Sequence, residues 1–361
     1  MDKSSIELRE YLSEHFVGSQ HRLGFIARFV LSLIKVKTVN LTQIALGLNS
    51  QAKAASNYRR IQRFFAEFSF DKAAFVGWIV QHLPRESWVL CLDRTNWKLG
   101  TFNINILAIG VAYRGTAIGL LWQLLPKCGN SNQGERIALI QQLLACLPKK
   151  NIKAVIADRE FIGQDWFSFL TKQNIKFHIR LRDNILAELA AANEAQGQTN
   201  SQAIRLLFRH LKSGETLTLH QRYYVCGQLL AVTGMRLADD ELLIIVTNGN
   251  PKQSLDFYAQ RWEIEMLFSA LKTTGFDLET THLNQTQRID TLLLLLMLAL
   301  VWSHTIGETL HTTVKPIKRK KHGRLAQSFF RYGLDFFRAV LLNLPSKFPD
   351  FRWALSLLSC T

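Results

Sequence analysis

The first 82 residues of the chain carry apolar positions at helical spacing. This pattern predicts four helices, which cover residues 5–15, 22–35, 41–48 and 54–67. The last two resemble a pair of helices around a turn at Asn49 and Ser50. The second helix of that pair would present Arg59, Arg60 and Arg63 to solvent, which suggests a helix-turn-helix-like contact with DNA. A solvated basic face on an ordinary helical bundle is the alternative.

The pattern changes near Ser87, where short runs of apolar and β-prone residues replace the helical spacing. The runs WVLCLD, INILAIGVAY and TAIGLLWQLL predict three strands joined by turns. They are followed by a helix (GERIALIQQLLACL), a strand (KAVIAD), a helix (GQDWFSFLTKQN) and a strand (KFHIRLR). The order β-β-β-α-β-α-β predicts a mixed sheet with helices packed on it.

The second half of the chain interrupts this alternation and then becomes helical. Residues 183–247 contain further strand-like runs in TLTLHQRYYVCGQLLAVTG and ELLIIVTN. Helices are then predicted at YAQRWEIEMLFSALK, at 289–304 and at 328–344, with a basic run at 315–324.

Four polar residues share one side of the helix predicted at YAQRWEIEMLFSALK. At about 100° per residue, Tyr258, Arg261, Glu265 and Lys272 fall within an arc of about 60°, beside an apolar face. A carboxylate among cations can ligate a metal ion and leave the cations to hold phosphates. A ladder of surface ion pairs is the ordinary alternative.

Composition narrows the choice of partner. The 361 residues are 48% hydrophobic and carry a net charge of +16, which favours a folded protein that binds a polyanion. A membrane protein is not expected, because the apolar run 292–302 is about half the length of a bilayer span. The five cysteines form no CxxC pair and the start lacks a signal-peptide core, so we expect a reducing, bacterial-type cytoplasm.

Two aspartates offer partners for Glu265. Asp93 ends the first predicted strand and Asp158 ends the fourth, each after apolar and before polar residues. Carboxylates at the carboxyl edge of a sheet occupy the place where α/β folds bind ligands. Chemistry with two metal ions requires about three acidic groups from different elements, because hard cations prefer oxygen ligands.

These residues carry a resemblance to a known family. The sequences DRTNW around Asp93, ADREF around Asp158, GNSNQGER at 129–136 and Y-x2-R-x3-E-x6-K at 258–272 resemble the DDE transposases of bacterial insertion sequences. The complete Y-R-E-K pattern is that of the insertion sequence four family. The resemblance covers roughly residues 85–310, and the long interval between Asp158 and Glu265 suits that family's β-strand insertion.

The resemblance implies a fold and a division of the chain. We expect a ribonuclease-H-like mixed sheet with flanking helices, in which the first and fourth strands are neighbours. The expected segments are a helical DNA-end-binding domain, the first part of the catalytic domain, a β-rich insertion, the second part of the catalytic domain, and a basic, helical C-terminal segment. Their bounds are 1–82, 83–182, 183–247, 248–310 and 311–361.

The resemblance also implies an activity. Asp93, Asp158 and Glu265 would bind two Mg²⁺ ions, with Mn²⁺ as a substitute; one ion would activate water or a DNA 3′-hydroxyl, and the other would stabilise the leaving oxygen. The enzyme would cleave at the terminal inverted repeats of its element and join the 3′ ends to target DNA, in a cut-and-paste reaction. A DNA-binding protein without catalysis, and a nuclease without strand transfer, are the alternatives.

Further roles come from the same resemblance. Tyr258, Arg261 and Lys272 would hold phosphates, and Trp262 would stack on a base or pack in the core. Some relatives stack a flipped base on a tryptophan of the insertion, but no tryptophan lies between Trp166 and Trp262. Tyr223 and Tyr224 are the nearest aromatic candidates. The partner would be double-stranded DNA, bound by a homodimer whose interface we place in the aromatic segment 329–344.

Overall fold

The computed structural model of the protein describes residues 2–48, 50–189, 201–321 and 323–359. Asn49, predicted as a turn residue, lies outside the described residues, as does part of the segment 183–247. The chain forms two compact units. We call Met1–Pro84, Asn96–Ile104 and Glu265–Thr361 the helical unit, and Arg85–Thr95 with Asn105–Ile264 the sheet unit.

The helices confirm most of the sequence prediction. The four N-terminal helices begin and end within two residues of their predicted ends, whereas the last helix was not predicted. The helices are α1 (Lys3–His15), α2 (Gln20–Val36), α3 (Leu41–Gly47), α4 (Ala54–Glu67), α5 (Lys72–Gln81), α6 (Gln133–Cys146), α7 (Gln164–Lys172), α8 (Ser254–Ala259), α9 (Trp262–Lys272), α10 (Thr286–Thr309), α11 (Phe329–Leu342) and α12 (Phe348–Ser359).

The strands follow the predicted order and continue into the insertion. They are β1 (Trp88–Leu99), β2 (Phe102–Val111), β3 (Ile118–Leu124), β4 (Ile152–Ala157), β5 (Phe177–Arg180), β6 (Leu186–Leu189), β7 (Ser201–Ala203), β8 (Thr216–Thr218), β9 (Tyr223–Val225), β10 (Gln228–Arg236) and β11 (Leu242–Thr247).

One mixed sheet joins these strands. Its order is β3-β2-β1-β4-β5-β11-β10-β9-β6-β7, and β8 pairs with β10. β1 pairs with β4, and β4 with β5, in parallel, while β11 returns antiparallel to β5. The first and fourth strands are therefore neighbours, as expected, and the insertion extends the sheet. Helix α8 packs against β4, β5 and β11, and α6 packs against β3.

Helix α10 forms the centre of the helical unit. It packs on α11 most extensively, and also on α2, α4 and α12. The segment Thr286–Val314 is long and apolar enough to cross a membrane, but 89% of its most apolar window is buried inside the protein. The bent pair Gln20–Val36 and Leu41–Gly47 passes the same test of composition, with a bend of 106°. The helix predicted at 289–304 is confirmed, and it extends well beyond the apolar run 292–302.

Helix α11 corrects the expectation of a subunit interface in the aromatic segment 329–344. Most of its large apolar residues are buried within the helical unit rather than presented to a partner, because they pack against α10, α2 and α12, whereas Leu342 at its end is exposed. The buried set is Phe329, Phe330, Leu334, Phe337, Val340 and Leu341.

Two glycines allow α10 and α11 to approach each other closely. A Cβ added at Gly333 would meet the carbonyl oxygen of Ser303, and one added at Gly307 would meet that of Phe329. Since both obstacles are backbone atoms, neither can move without separating the helices.

We predict that Gly333→Ala destabilises the protein by about 1–3 kcal/mol, the usual cost of overpacking, or by more if the helices must separate. Gly77→Ala on α5 is the matched control, because a Cβ there would meet nothing within 4 Å. That control should be neutral or stabilising by up to about 1 kcal/mol, through the better helix propensity of alanine. Urea denaturation of both variants checks the prediction, and equal effects would contradict it.

Candidate active site

The pairing of β1 with β4 sets Asp93 beside Asp158. The register matches Leu92 with Ala157, and each aspartate is the next residue along its strand. The sequence placed Asp93 at the end of the first strand, but β1 continues to Leu99. Asp93 instead marks the position at which β1 leaves β4, whose last residue is Ala157. Because β1 still has β2 as its other neighbour, it does not end there.

The amide of the following residue orients the side chain of each aspartate. Oδ1 of Asp93 accepts a hydrogen bond of 2.7 Å from the amide of Arg94, and Oδ1 of Asp158 accepts one of 2.7 Å from the amide of Arg159. Both side chains are partly exposed. Each carboxylate is thereby oriented at the edge of the sheet and remains accessible from solvent.

Tyr258 and Arg261 approach these two carboxylates. The Tyr258 hydroxyl donates to Oδ1 of Asp158 at 3.2 Å, and Nη1 of Arg261 lies 3.9 Å from Oδ2 of Asp93. The guanidinium of Arg261 also lies 5.7 Å from the centroid of the Tyr258 ring. Burial, with the nearby Asp158 charge, raises the pKa of Tyr258 to about 12, so the phenol remains a proton donor at ordinary pH.

The prediction of one continuous helix through these residues is wrong. Tyr258 lies near the end of α8, Arg261 lies in a turn, and α9 begins at Trp262. The amides of Gln260, Arg261, Glu263 and Ile264 bond three residues back instead of four. Two contacts stabilise the break: the carbonyl of Gln260 accepts from the Cys91 thiol at 3.6 Å, and that of Glu263 accepts from the Ala117 amide at 2.8 Å.

Glu265 and Lys272 lie on α9, in the helical unit. Nζ of Lys272 pairs with Glu279 at 2.8 Å, donates to the carbonyl of Asn96 at 3.3 Å and lies 5.0 Å from the centroid of the Trp97 ring. These partners all belong to the helical unit, so they fix the position of the partly shielded Lys272 ammonium. The meeting of Glu265 with the two aspartates stays a prediction.

Two neighbours of Glu265 have distinct environments. Trp262 is 49% exposed, so its indole is not buried in a core. Glu263 is largely buried and accepts backbone hydrogen bonds from Tyr113 and Gly115, while burial raises its pKa. Glu263 therefore anchors the turn between β2 and β3, and it provides a contrast to Glu265.

Comparison with known proteins decides the family. Residues 84–302, more than half of the chain, match the family described as Transposase DDE domain. The chain belongs to this family. Membership makes the protein a transposase whose substrate is DNA, and members of the family generally use divalent metal ions. No curated protein matches the chain.

The carboxylates of the transposase suit a hard cation by their chemistry. Asp93 and Asp158 offer only oxygen donors, which Mg²⁺ and Mn²⁺ prefer. Across residues 2–48, 50–189, 201–321 and 323–359, no group of three His, Cys, Asp or Glu side chains is arranged to hold a metal ion. The two aspartates thus form a partial donor set to which further oxygen ligands must be added.

An ion pair that sequence reasoning missed joins the two aspartate motifs. Arg94, which follows Asp93, binds both carboxylate oxygens of Glu160, two residues after Asp158, at 3.1 and 3.3 Å. The same carboxylate accepts from the amide and hydroxyl of Ser131 at 3.2 and 3.3 Å. The segment GNSNQGER supplies Ser131 and, through Arg136, a bond to the Glu160 carbonyl at 3.0 Å.

Arg180 is a second residue that the sequence analysis did not select. Ala157 of β4 pairs with Ile179 of β5. Arg180 is the residue after Ile179, so it lies beside Asp158, the residue after Ala157. The positive charge of Arg180 also acts on the Tyr258 phenol, where it opposes the rise in pKa. The sequence did show a polar residue at the end of a predicted strand, in IRLR, as it did for the two aspartates. The position of Arg180 beside Asp158, however, depends on the register between β4 and β5, which one sequence does not give.

The predicted DNA-contacting arginines of α4 are exposed. Arg59, Arg60 and Arg63 face solvent, while Ile61 and Phe65 pack inward. Arg60 and Arg63 line a cleft of about 430 Å³ with Arg22 and Arg28, among other residues. Partial burial, together with the Arg60 charge, lowers the pKa of Arg28, as expected where like charges are held together. Their contact with DNA stays a prediction.

The insertion presents one tyrosine more openly than the other. Tyr224 is exposed and pairs across β9 and β10 with Leu229, whereas its neighbour Tyr223 is half-buried and pairs with Leu230. Successive strand residues face opposite sides. Tyr224 is therefore the more accessible of the two candidates for base stacking.

We predict that Arg94 and Glu160 are energetically coupled by more than a surface ion pair. Arg94→Ala and Glu160→Ala should each destabilise the protein by about 2–4 kcal/mol, because each leaves a partly buried charge unpaired. The double variant should cost less than the sum of the two. Urea denaturation of the four proteins gives the coupling energy. The exposed pair Arg331–Asp335 is the control, with an expected coupling of at most about 0.5 kcal/mol, and equal coupling in the two cycles would contradict the prediction.

Proposed function

We propose that this transposase cleaves DNA at the terminal inverted repeats of an insertion sequence of the insertion sequence four family and joins the 3′ ends to target DNA by cut-and-paste transposition. The main support for this proposal is the position of the two aspartates. Asp93 and Asp158 directly follow the paired residues Leu92 and Ala157 of adjacent parallel strands, and each is approached by a residue of the Y-R-E-K pattern, Arg261 and Tyr258 respectively.

A ribonuclease-H-like catalytic fold is part of this proposal. The sheet order β3-β2-β1-β4-β5, with β1, β4 and β5 parallel and β2 and β3 antiparallel, supports it. The strands after β5 then form the insertion between the second aspartate and Glu265. In such a sheet, the edge that holds both aspartates is also where the substrate phosphates must arrive.

The two aspartates and Glu265 would hold the divalent metal ions. When bound, these ions supply Lewis acidity and an activated oxygen nucleophile for in-line displacement at phosphorus. The protein's own groups do the rest. Backbone amides orient Asp93 and Asp158, the Tyr258 phenol donates without ionising, and Arg261 provides a charge that a phosphate can share with Asp93.

Double-stranded DNA is the proposed ligand of the basic surface. The net charge of +16 and the exposed Arg59, Arg60 and Arg63 on α4 support an electrostatic contact with the backbone. Because joining two ends requires two active sites, we propose a homodimer in the DNA complex. Binding should weaken steeply as salt rises, as counterion release requires.

The proposal is tested by DNA cleavage at an end of the element. Purified protein is incubated with a terminal-repeat duplex and Mg²⁺ or EDTA, and the variants Asp93→Asn and Glu265→Gln are compared. We expect cleavage only with the metal, a loss of at least about 100-fold in both variants, and unchanged DNA binding, since each removes one oxygen ligand.

Glu263→Gln is the matched control for this experiment. It changes the same charge on the same helix, but at a carboxylate directed to Tyr113 and Gly115. Cleavage by this variant should remain within a few-fold of the unmodified protein. Undiminished cleavage by Asp93→Asn or Glu265→Gln would refute the assignment, and binding without cleavage in the unmodified protein would favour a silent DNA-binding protein.

A further inference from the structure

A glutamate of the insertion bridges two arginines beside Asp158. Glu241 lies in the turn between β10 and β11, and its Oε1 is 2.5 Å from Nη2 of Arg180 and 3.4 Å from Nη1 of Arg159. We propose that Glu241 occupies a phosphate-binding subsite formed by Arg159 and Arg180, and that a backbone phosphate of the DNA strand displaces it. This inference rests on the proposed function, because it places a DNA strand along the edge that holds Asp158.

The position of the two arginines ties the subsite to the catalytic edge. Arg159 directly follows Asp158, and Arg180 follows Ile179, the partner of Ala157. The Tyr258 phenol, which donates to Asp158, lies near Arg180, whose positive charge acts to lower the pKa of that phenol. A phosphate held by Arg180 would therefore lie at the same edge of the sheet as a carboxylate of the proposed site.

The surrounding cleft has room for a phosphate group and part of a sugar. Its volume is about 540 Å³, and it is lined by Arg159, Arg180, Arg182, Asp183, Asn184 and Glu241, together with Leu181 and Leu242. Three guanidinium groups face two carboxylates there, which leaves an excess of positive charge. Such a cleft selects an anion with several acceptor oxygens.

Arg180 retains a donor that Glu241 does not use. Its Nε is buried and has no hydrogen-bond partner within the described part of the chain, while its side chain is 15% exposed. A buried donor without an acceptor is costly, and the guanidinium fork can serve two oxygens of one phosphate. The single oxygen of Glu241 that bridges the arginines leaves this capacity unfilled.

Glu241 is suited to leave. Its side chain is 44% exposed and belongs to a surface turn, so its ion pairs are weak. A carboxylate and a phosphodiester carry the same unit charge and two acceptor oxygens. Glu241 thus acts as an internal competitor, which keeps Arg159 and Arg180 paired until DNA replaces it.

The experiment compares two isosteric variants of the same turn. Glu241→Gln removes the bridging charge, and Asp240→Asn makes the same change of net charge at a side chain that is 87% exposed and lies near Arg236 instead. Both changes are made in the Asp93→Asn background. Binding of duplex DNA is measured in EDTA at several salt concentrations, and melting temperatures confirm that the variants fold.

We expect Glu241→Gln to bind DNA about two- to fivefold more tightly, the equivalent of one exposed ion pair, with a gain that shrinks as salt rises. Asp240→Asn should gain less than half as much. Adding Arg180→Gln to Glu241→Gln should abolish the gain. Equal gains in the two single variants, weaker binding by Glu241→Gln, or a gain that survives Arg180→Gln would each overturn the proposal. Because the assay contains no metal and no active carboxylate set, its result is independent of whether the unmodified protein cleaves DNA.

Discussion

The parallel pairing of β1 with β4 is the constraint on which the site depends. Parallel strands point their carboxyl ends to one edge, so the match of Leu92 with Ala157 brings Asp93 beside Asp158 although 65 positions separate them in the sequence. Placing two carboxylates together is unfavourable unless cations or hydrogen-bond donors compensate for their repulsion. The rest of the sheet unit supplies those donors: backbone amides, the Tyr258 phenol and Arg261.

Several arginines around this edge are paired with carboxylates in the free protein. Arg94 is paired with Glu160 behind the aspartates, and Arg159 and Arg180 are paired with Glu241 beside them. The Arg94–Glu160 pair is more buried than the pairs of Glu241, and this difference in exposure suggests that the two sets of ion pairs have different roles. The shielded pair Arg94–Glu160 joins the two aspartate motifs and should stay intact during the reaction, whereas the exposed pairs of Glu241 can exchange one anion for another.

Much of the fold was readable from hydrophobic periodicity, because long amphipathic helices and short buried strands have strong periods. The N-terminal helices and the neighbouring β1 and β4 are examples. The break at Gln260 and Arg261 was not readable, since it depends on tertiary bonds from Cys91 and Ala117 that no local pattern announces. Arg180 was missed for a similar reason, because its position beside Asp158 follows from the register of β5 against β4. Asp93, Asp158 and the Y-R-E-K residues were selected through their motifs, and their role stays a prediction; periodicity alone would have left them as turn formers and surface charges.

The proposed role of Glu265 is to complete the carboxylate set begun by Asp93 and Asp158. Fe²⁺ in place of Mg²⁺ allows a direct measurement, because hydroxyl radicals formed at a bound iron cleave the polypeptide nearby. With the protein bound to duplex DNA from its element's end, we expect backbone cuts near residues 93, 158 and 265, all suppressed by excess Mg²⁺. Cuts near 93 and 158 without any near 265, or cuts that excess Mg²⁺ does not suppress, would contradict it.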